Sequence, residues 1–446
     1  MWQALALLSA TGIAPPTAAW QALGRATSSV ILVERPVSLL RFCGEGRRTF
    51  LHGLCTANVK AMPQSAVLDA AVVDRAGNTV ELMTVADLPI DASLLAIGTA
   101  GRGDEQQAFF DKYAFPADAV TVEDISDRYS CVELVGPSAS SVLKCVLGAD
   151  PPASRHAAAV RGGVCLGVGS LGYTTGAYTL LIERDADDGS EGRLAGELSA
   201  AVRSAGGASA SWGSLRIIRG RPLPGNEYST VARAKGGEGR EGGAPSASPL
   251  ELGLWSAVHL DKGCYMGQEV IARIARARRP RREIYGVQFD SAAVASLCPG
   301  TPLHLEAPEG EAASDAPTSS IGMLTSVLDA TPGEEDAGAL APPDGLLCAP
   351  FALALVRASV AAIGTRVRVG DGRASGVLVE LPHATRVGQQ AGGAREVEDE
   401  AEGEPNDAAK LAKEAKQAEA ERKAAKLAVM EARLKAFQER QKQSGK

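Results

Sequence analysis

Before residue 220 the chain alternates between short apolar runs and longer stretches in which apolar residues recur every three or four positions. The first pattern predicts strands and the second predicts helices, so a mixed α and β fold is expected here. The predicted strands are 30–33, 39–42, 70–74, 80–85, 94–97, 120–124, 129–135 and 178–182. The predicted helices are 50–54, 105–113, 138–147 and 192–205.

Beyond residue 282 short β-type runs follow, at 283–289, 321–328, 353–358, 365–369 and 376–381. Loops rich in Gly and Pro separate them, which is typical of a small antiparallel barrel or sandwich. Two of these loops, roughly 307–320 and 329–346, are predicted to be expansions without packed structure. The segment 232–248 is rich in Gly, Ser and Glu and is predicted to be a flexible insertion.

Both ends of the chain differ in composition from its middle. Residues 1–33 contain no acidic residue, and their apolar run ends at Pro15 and Pro16, too short to span a bilayer. Such a segment is typical of an organellar targeting peptide, with a secretory-type leader as the alternative. An acidic linker at 384–406 precedes a charged segment at 407–446 that is predicted to be helical. This tail is either a solvated helix or a docking element for a partner.

The overall composition narrows the class of protein. With 446 residues, 45% of them hydrophobic and 22% charged, the chain is long enough for two or three domains, each with its own core. The formal net charge of -7 argues against a nucleic-acid surface over the whole chain. The eight cysteines are scattered, with no Cys-x-x-Cys pair and no cluster at zinc spacing. A reducing compartment is therefore expected.

One cysteine lies in a motif with the potential for chemistry, the segment 261–273. Cys264 is placed between two glycines, near Lys262 and Arg273, whose charges would favour a thiolate. The thiolate is the form that acts as a nucleophile or metal ligand. A helix is predicted to begin at Gln268. A buried structural cysteine is the alternative interpretation.

The residues Lys262-Gly-Cys-Tyr-Met-Gly-Gln-Glu269 resemble the signature of YgfZ-type folate-binding proteins. These proteins are relatives of the glycine-cleavage T-protein and assist iron–sulfur cluster assembly. Segments 44–59, 215–227 and 249–255 are also similar to this family, and 215–227 resembles its arginine strand, Gly-x-Pro turn and glutamate. The resemblance covers about residues 38–383. The segment 112–118 looks most similar to the plastid branch found in plants and algae.

This resemblance implies an α+β fold of the T-protein (GcvT-like) type. Two related α/β subdomains round a central pocket would form a folate-binding domain over residues 34–282. A small antiparallel β-barrel would follow at the C-terminal side, over 283–383, and then the linker and the helical tail.

The resemblance also implies roles for individual residues. Glu227 is expected to hold the pterin of tetrahydrofolate, because a carboxylate can accept two adjacent N–H groups at once. Arg216 would pair with a carboxylate, either of the protein or of the folate tail. Tyr265, Gln268 and Glu269 are expected at the cofactor site, although the last two could serve only the first turn of a helix.

Two departures from the T-protein pattern weigh against glycine cleavage. The second acid expected after Arg216 is replaced by Ile218. The pair of aspartates expected after the turn at 74–77 is replaced by the segment 78–82, which contains no aspartate. The carboxylate that one-carbon transfer uses is therefore missing from its expected place. An assembly factor is expected rather than an aminomethyltransferase.

The predicted function is to bind tetrahydrofolate and to assist the assembly or maintenance of iron–sulfur proteins through Cys264 and Lys262. Cys264 would be a transient cluster ligand, and a carrier or client protein would supply the other ligands, because one cysteine cannot hold a cluster. A thiol that acts on a folate-derived one-carbon unit is the alternative chemistry. The alternative functions are a tetrahydrofolate-dependent aminomethyltransferase or demethylase, and an interaction scaffold with a vestigial folate pocket.

The expected compartment is the plastid stroma, with the mitochondrial matrix as the alternative. No membrane partner is expected, and little aromatic interleaving supports nucleic-acid binding. A run of arginines after the cysteine motif is either a solvated hinge or a site for a folate polyglutamate or an acidic carrier protein. It comprises Arg273, Arg276, Arg278, Arg279, Arg281 and Arg282.

Overall fold

The computed structural model describes residues 26, 28–89, 91–172, 176–184, 190–230, 243–278, 280–290, 297–306, 319–328, 351–370, 372 and 374–384. All of them belong to one compact unit, Met1–Ala391, and a second unit, Gly392–Lys446, lies outside the described residues. No helix in the described part of the chain is both long and apolar enough to cross a membrane.

The described residues form six α-helices and seventeen strands, all of them short. The helices are α1 (Arg47–Leu54), α2 (Gly103–Asp111), α3 (Ala139–Leu147), α4 (Ser190–Ser204), α5 (Trp212–Arg219) and α6 (Gln268–Ala277). The first eight strands are β1 (Ile31–Glu34), β2 (Val37–Cys43), β3 (Val67–Val73), β4 (Thr79–Leu88), β5 (Ser93–Thr99), β6 (Thr121–Asp124), β7 (Tyr129–Val135) and β8 (Ala157–Val160). The others are β9 (Gly163–Leu166), β10 (Ala177–Glu183), β11 (Ala208–Ser211), β12 (Arg282–Phe289), β13 (Pro302–Leu305), β14 (Gly322–Leu328), β15 (Phe351–Arg357), β16 (Arg366–Val369) and β17 (Ala374–Val379).

Two sheets form the part of the molecule before α6. A five-stranded antiparallel sheet has the order β3-β4-β5-β2-β6, and a six-stranded sheet has the order β11-β1-β7-β10-β9-β8. In the second sheet β1 and β11 are parallel, and the other pairs are antiparallel. Because β1 and β2 are consecutive but lie in different sheets, the chain links the two sheets from its first strands onward.

The alternation of side chains along each strand divides the core into layers. Leu40 of β2 packs among the side chains of α1 and α2, and Leu180 of β10 packs among those of α3 and α4. Their neighbours Leu39 and Leu181 point the other way and share one buried cluster. Since successive residues of a strand face opposite sides, the two sheets pack against each other and carry their helices on the outer faces.

The last six strands close into a barrel in the order β12-β15-β14-β13-β16-β17. All six strand pairings of the barrel are antiparallel, and a bulge interrupts β14 between Leu324 and Ser326. The sequence left a barrel and a sandwich as alternatives, and the structure is a barrel. Its interior is filled by Val, Leu, Phe and Ala side chains, which fit the half-buried strands that the pattern predicts.

Each strand and helix predicted within the described residues has a counterpart in the structure, and most of their ends differ by a few residues. One segment is different: residues 215–218, compared with an arginine strand of T-proteins, lie in helix α5. Leu215 packs against the six-stranded sheet, while Ile217 and Ile218 pack against barrel residues. In a strand Leu215 and Ile217 would point to the same face, whereas here they pack on different surfaces. Packing therefore overrides the β preference of two adjacent isoleucines.

Several strands were not predicted, because they are short and weakly apolar: β8, β9, β11 and β13. Other predictions fall on residues outside the described part of the chain. These are residues 1–25 of the targeting segment, most of the insertion at 232–248, most of the loops at 307–320 and 329–346, most of the acidic linker and the helical tail. The last residues assigned to the targeting segment, 31–33, lie instead in the buried strand β1.

Candidate functional site

A central cavity of about 470 Å³ lies beside the two sheets and is closed by residues near the end of the described chain. Asp69 comes from β3, Leu82 from β4 and Tyr178 from β10, while Arg221 and His383 come from loops. This size and this mixture of apolar walls with a few polar groups are typical of a small-molecule site.

Asp69 and Arg221 give the central cavity its polar character. The Asp69 carboxylate accepts hydrogen bonds from Thr84 Oγ1 at 3.1 Å and from Arg155 Nη1 at 3.3 Å. Burial tends to raise the pKa of Asp69, but the charges of Arg155 and Arg221 outweigh it and lower that pKa overall. Asp69 is therefore an anion at neutral pH.

Arg221 is buried and lies next to His383. Its Nη1 donates to the carbonyl of Ser170 at 3.0 Å and lies 3.2 Å from His383 Nε2. Burial and the neighbouring charge of Arg221 lower the pKa of His383 to about 3. The imidazole is therefore neutral, and its Nε2 can accept from the guanidinium. The Nδ1 atom of His383 is buried without a hydrogen bond among the described residues.

A smaller cavity of about 180 Å³ adjoins the first, since Leu82 and Arg221 line both. Its other walls include Arg35, Trp212 and Leu223. The Arg35 guanidinium lies 5.7 Å from the centre of the Trp212 ring. Arg221 and Leu82 therefore lie between the two cavities.

Glu227 and Arg216 form a buried network that does not line either cavity. Glu227 is 1% exposed, and its carboxylate accepts from Arg216 Nη1 at 3.1 Å, from Leu223 N at 2.9 Å and from Ser326 Oγ at 2.6 Å. Of the two partners that the sequence allowed for Arg216, the structure has the protein carboxylate. The network joins α5, the loop at 221–227 and β14, and so fixes the loop that carries Arg221.

Cys264 is exposed on a loop, and the side chain of Lys262 in the same loop is buried. The buried Lys262 ammonium donates to the carbonyls of His52 at 2.6 Å, Cys55 at 2.7 Å and Ala57 at 2.7 Å. These three bonds use all three donors of the ammonium group and cap the C-terminal end of α1. Burial lowers the pKa of Lys262 to about 8, so it remains a cation at neutral pH.

Two further side chains pack around this loop. The Tyr265 ring lies 4.7 Å from Lys262 Nζ and is buried with Ala71 and Val73, and burial raises the pKa of its hydroxyl to about 12. The His52 imidazole lies beside Gly263, because a Cβ atom there would be 3.5 Å from His52 Nε2. Burial and Lys262 lower the pKa of His52 to about 4. A neutral imidazole therefore lies next to the backbone that precedes the thiol.

Gln268 and Glu269 form the first turn of α6, as the sequence predicts. The helix starts after Gly267, which has a φ of 77° and lies so close to the β3–β4 turn that a Cβ would be 2.4 Å from Asp74 O. Gln268 is half-buried and Glu269 is exposed. Neither residue lines the central cavity.

The structure thus brings Lys262, Cys264 and Tyr265 together in one loop, and Arg216 and Glu227 together in a separate network. The sequence did not single out Asp69, Arg221, His383 or His52. A signal existed for Asp69, an acid inside an otherwise apolar strand, and for Arg221, which lies in a segment noted for its resemblance. No signal marked the two histidines. Among the described residues no group of three or more His, Cys, Asp or Glu is placed to hold a metal ion.

Comparisons with known proteins agree with this architecture. Residues 34–165 match the family model of the GCVT N-terminal domain. An Arabidopsis thaliana protein described as "Putative transferase At1g60990, chloroplastic" is 27% identical over 352 residues, which cover 78% of this chain and 69% of that protein. The crystal structure of glycine cleavage system aminomethyltransferase T from Bartonella henselae matches with a TM-score of 0.61 at 16% identity, covering 86% of this chain and 98% of that one.

The chain therefore has the GcvT-like fold, as the sequence predicts, with a closed barrel of six antiparallel strands in its C-terminal region. Its N-terminal part matches the domain family of the aminomethyltransferases. The finer assignment to the YgfZ type stays a prediction, as do the roles of the individual residues.

Proposed function

We propose that this protein binds tetrahydrofolate in the central cavity and supports iron–sulfur proteins through Cys264. The observation that carries the proposal is the cavity itself, whose Asp69 carboxylate and Arg221 guanidinium lie within a GcvT-like fold. A carboxylate suits the N–H donors of a pterin, and a guanidinium suits the carboxylates of a folate tail. In this proposal Glu227 acts indirectly. It does not line the cavity, but it accepts a hydrogen bond from the loop that positions Arg221.

Cys264 supplies the second half of the proposed function. Its thiol is exposed on a loop whose backbone is fixed by the three hydrogen bonds of Lys262. The cluster is cargo in this proposal, and a partner protein contributes the remaining ligands. Lys262 orders the loop through these bonds to the backbone at the end of α1.

The proposed compartment is the plastid. The Arabidopsis relative is described as chloroplastic, and residues 1–33 lack acidic side chains, as targeting peptides do. A carrier or client protein of the iron–sulfur pathway is the proposed partner there.

A tetrahydrofolate-dependent transferase is the second candidate. The relative's description as a transferase favours it, and so does the Asp69 carboxylate, which could act as a base inside the cavity. Against it, Leu82 lines the cavity in the segment where the paired aspartates were expected. Tetrahydrofolate-dependent release of formaldehyde or ammonia from amine donors, lost in Asp69→Asn, would establish the transferase instead.

The proposed binding of tetrahydrofolate is tested by a bulky substitution at an exposed residue that lines the cavity. Ser256 lines the cavity and is exposed, so a tryptophan there fills the entrance without entering the core. We expect Ser256→Trp to weaken tetrahydrofolate binding by about tenfold or more in calorimetry, a change of about 1.4 kcal/mol. The matched control is Ser204→Trp, at an exposed residue of α4 away from the cavity lining. Equal affinity of both variants would place the ligand elsewhere.

The thiol half is tested in bacteria that lack their own YgfZ protein. We expect Cys264→Ser to fold but to lose support of iron–sulfur enzyme activity, because a hydroxyl does not replace a thiolate as an iron ligand. The matched control is Cys145→Ser, which changes another exposed cysteine on α3. Full rescue by Cys264→Ser would remove the thiol from the mechanism.

A further inference from the structure

A second cavity lies apart from the proposed folate site and is rich in arginine. We call it the arginine cleft: it has a volume of about 1000 Å³ and ten lining residues. It shares no lining residue with the central cavity. Its lining comes from three stretches of chain, at 245–246, at 278–283 and at 357–359. The stretch 278–283 joins the end of α6 to β12, so the cleft lies where the helix meets the barrel.

The charged residues that line this cleft are four arginines and one glutamate: Arg278, Arg281, Arg282, Arg357 and Glu283. Arg282 is neutralised by Glu251 at 3.2 Å, and Arg357 donates to the carbonyl of Ser320. Arg278 and Arg281 are exposed and make no side-chain hydrogen bond or salt bridge within the described part of the chain. Among the described residues, the cleft therefore holds positive charge without a side-chain partner.

The backbone that carries these arginines is fixed rather than loose. Arg278 ends α6 with a φ of 48°, in the left-handed region, and its N–H donates to Ala275 O at 3.1 Å. Pro280 is buried, and the carbonyl of Arg281 accepts from Ala358 N at 3.0 Å. A left-handed residue commonly ends a helix, so α6 stops at a defined position before β12.

The charge of the cleft is opposite to that of the whole chain, whose formal net charge is -7. Guanidinium groups that share a cleft repel one another, and a bound anion relieves that repulsion. The planar fork of arginine matches phosphate and carboxylate groups through paired hydrogen bonds. A walled cleft of this size suits a small molecule better than the flat face of a partner protein.

We propose that the arginine cleft binds a small polyanion, a molecule that carries at least two phosphate or carboxylate groups. Arg278 and Arg281 are its direct ligands, and Arg282 and Arg357 contribute to the positive potential around them. The proposal goes beyond the proposed folate site, because it concerns a different cavity that shares no lining residue with it.

The test is calorimetric titration of the full chain with tripolyphosphate and, separately, with triglutamate. We expect one anion to bind at one site in low salt and to bind about tenfold more weakly in high salt, because exposed charges are screened. Binding of tripolyphosphate alone identifies a phosphate ligand, and binding of triglutamate alone identifies a polycarboxylate. Saturating tetrahydrofolate leaves either affinity unchanged, since the two cavities share no residue. No heat from either anion at millimolar concentration overturns the proposal.

Two charge-matched double variants test whether anion binding depends on the cleft or on the general positive charge of this region. Arg278→Gln/Arg281→Gln removes two charges inside the cleft, and Arg273→Gln/Arg276→Gln removes two exposed charges of α6 outside its lining. We expect the first pair to weaken binding by about tenfold or more and the second by less than about threefold. Equal weakening by both pairs would mean diffuse attraction and would sink the proposal. The single variant Arg281→Lys, which keeps the charge but loses the fork, should lie between the wild type and Arg281→Gln.

Discussion

Lys262 and Glu227 are buried charged residues whose partners come from distant parts of the chain. Lys262 binds carbonyls 205 to 210 residues away, and Glu227 accepts from Ser326, 99 residues away. Each charge is excluded from water, so its hydrogen bonds replace the hydration that burial removed. Such a residue supports the site by fixing backbone, even where it touches no ligand.

At Glu227 this leads to a prediction about stability. We expect Glu227→Ala to lower the free energy of unfolding by about 3–5 kcal/mol, because Arg216 remains buried without its counter-charge. The matched control is Asp290→Ala, which breaks a half-exposed pair with Arg366 and should cost less than about 1 kcal/mol. Denaturant unfolding measures both. A stable Glu227→Ala protein that no longer binds tetrahydrofolate would make Glu227 a direct ligand and not a brace.

Among the elements, helix α6 shows how one close contact positions a loop. Its N-terminus rests on the β3–β4 turn, where Gly267 and Gly77 allow the two backbones to approach. A side chain at Gly267 would collide with Asp74 O, and its φ of 77° is also unfavourable for other residues. The cysteine loop therefore depends on contacts with a strand pair that is remote in sequence.

We expect Gly267→Ala to lower the free energy of unfolding by about 2 kcal/mol or more, since backbone strain and a steric clash add. The matched control is Gly206→Ala, where φ is 74° but no atom lies within 4 Å of the new Cβ. That variant should cost only about 1 kcal/mol. Equal losses in denaturant unfolding would show that α6 does not rest on the turn as described.

At the scale of the whole molecule, two buried neutral histidines make the stability of the fold depend on pH. Burial lowers the pKa of His52 to about 4 and that of His383 to about 3. The unfolded chain binds a proton at each histidine below its usual pKa of about 6.5, whereas the folded chain does not. Stability from these groups is therefore full above that pH and is lost as the pH falls toward 4.

We expect the thermal midpoint to be level near neutral pH and to fall between pH 6.5 and 5, as the two histidines together lower the free energy of unfolding by about 2 kcal/mol per pH unit. His52→Asn/His383→Asn should flatten this dependence in a calorimetric scan. His156→Asn, which replaces an exposed histidine, should leave it unchanged. A double variant with the slope of the wild type would assign the acid sensitivity to other groups.

The sequence alone was a good guide to local structure and to the fold. The spacing of apolar residues was enough to predict a strand at Tyr129–Val135 and a helix around 192–205, because it matches the period with which side chains face the core. The motif around Cys264 predicted the glycines and the start of α6, but it left a reactive and a buried cysteine as alternatives, and the structure has an exposed one. The segment around Arg216 was compared with a strand and is a helix, because it packs on two surfaces that the sequence cannot show.

The sequence by itself determined the elements, the barrel-type pattern and the resemblance that implies a GcvT-like fold, because each rests on neighbours in the chain. Only the tertiary structure decided that Lys262 caps α1, that Glu227 is occupied by Arg216 and that Asp69 and Arg221 meet in one cavity. It also gathered Arg278, Arg281 and Arg357 into one cleft. The physical reason is that the partner of a buried charge is set by distance in space, and folding brings together residues that the sequence keeps far apart.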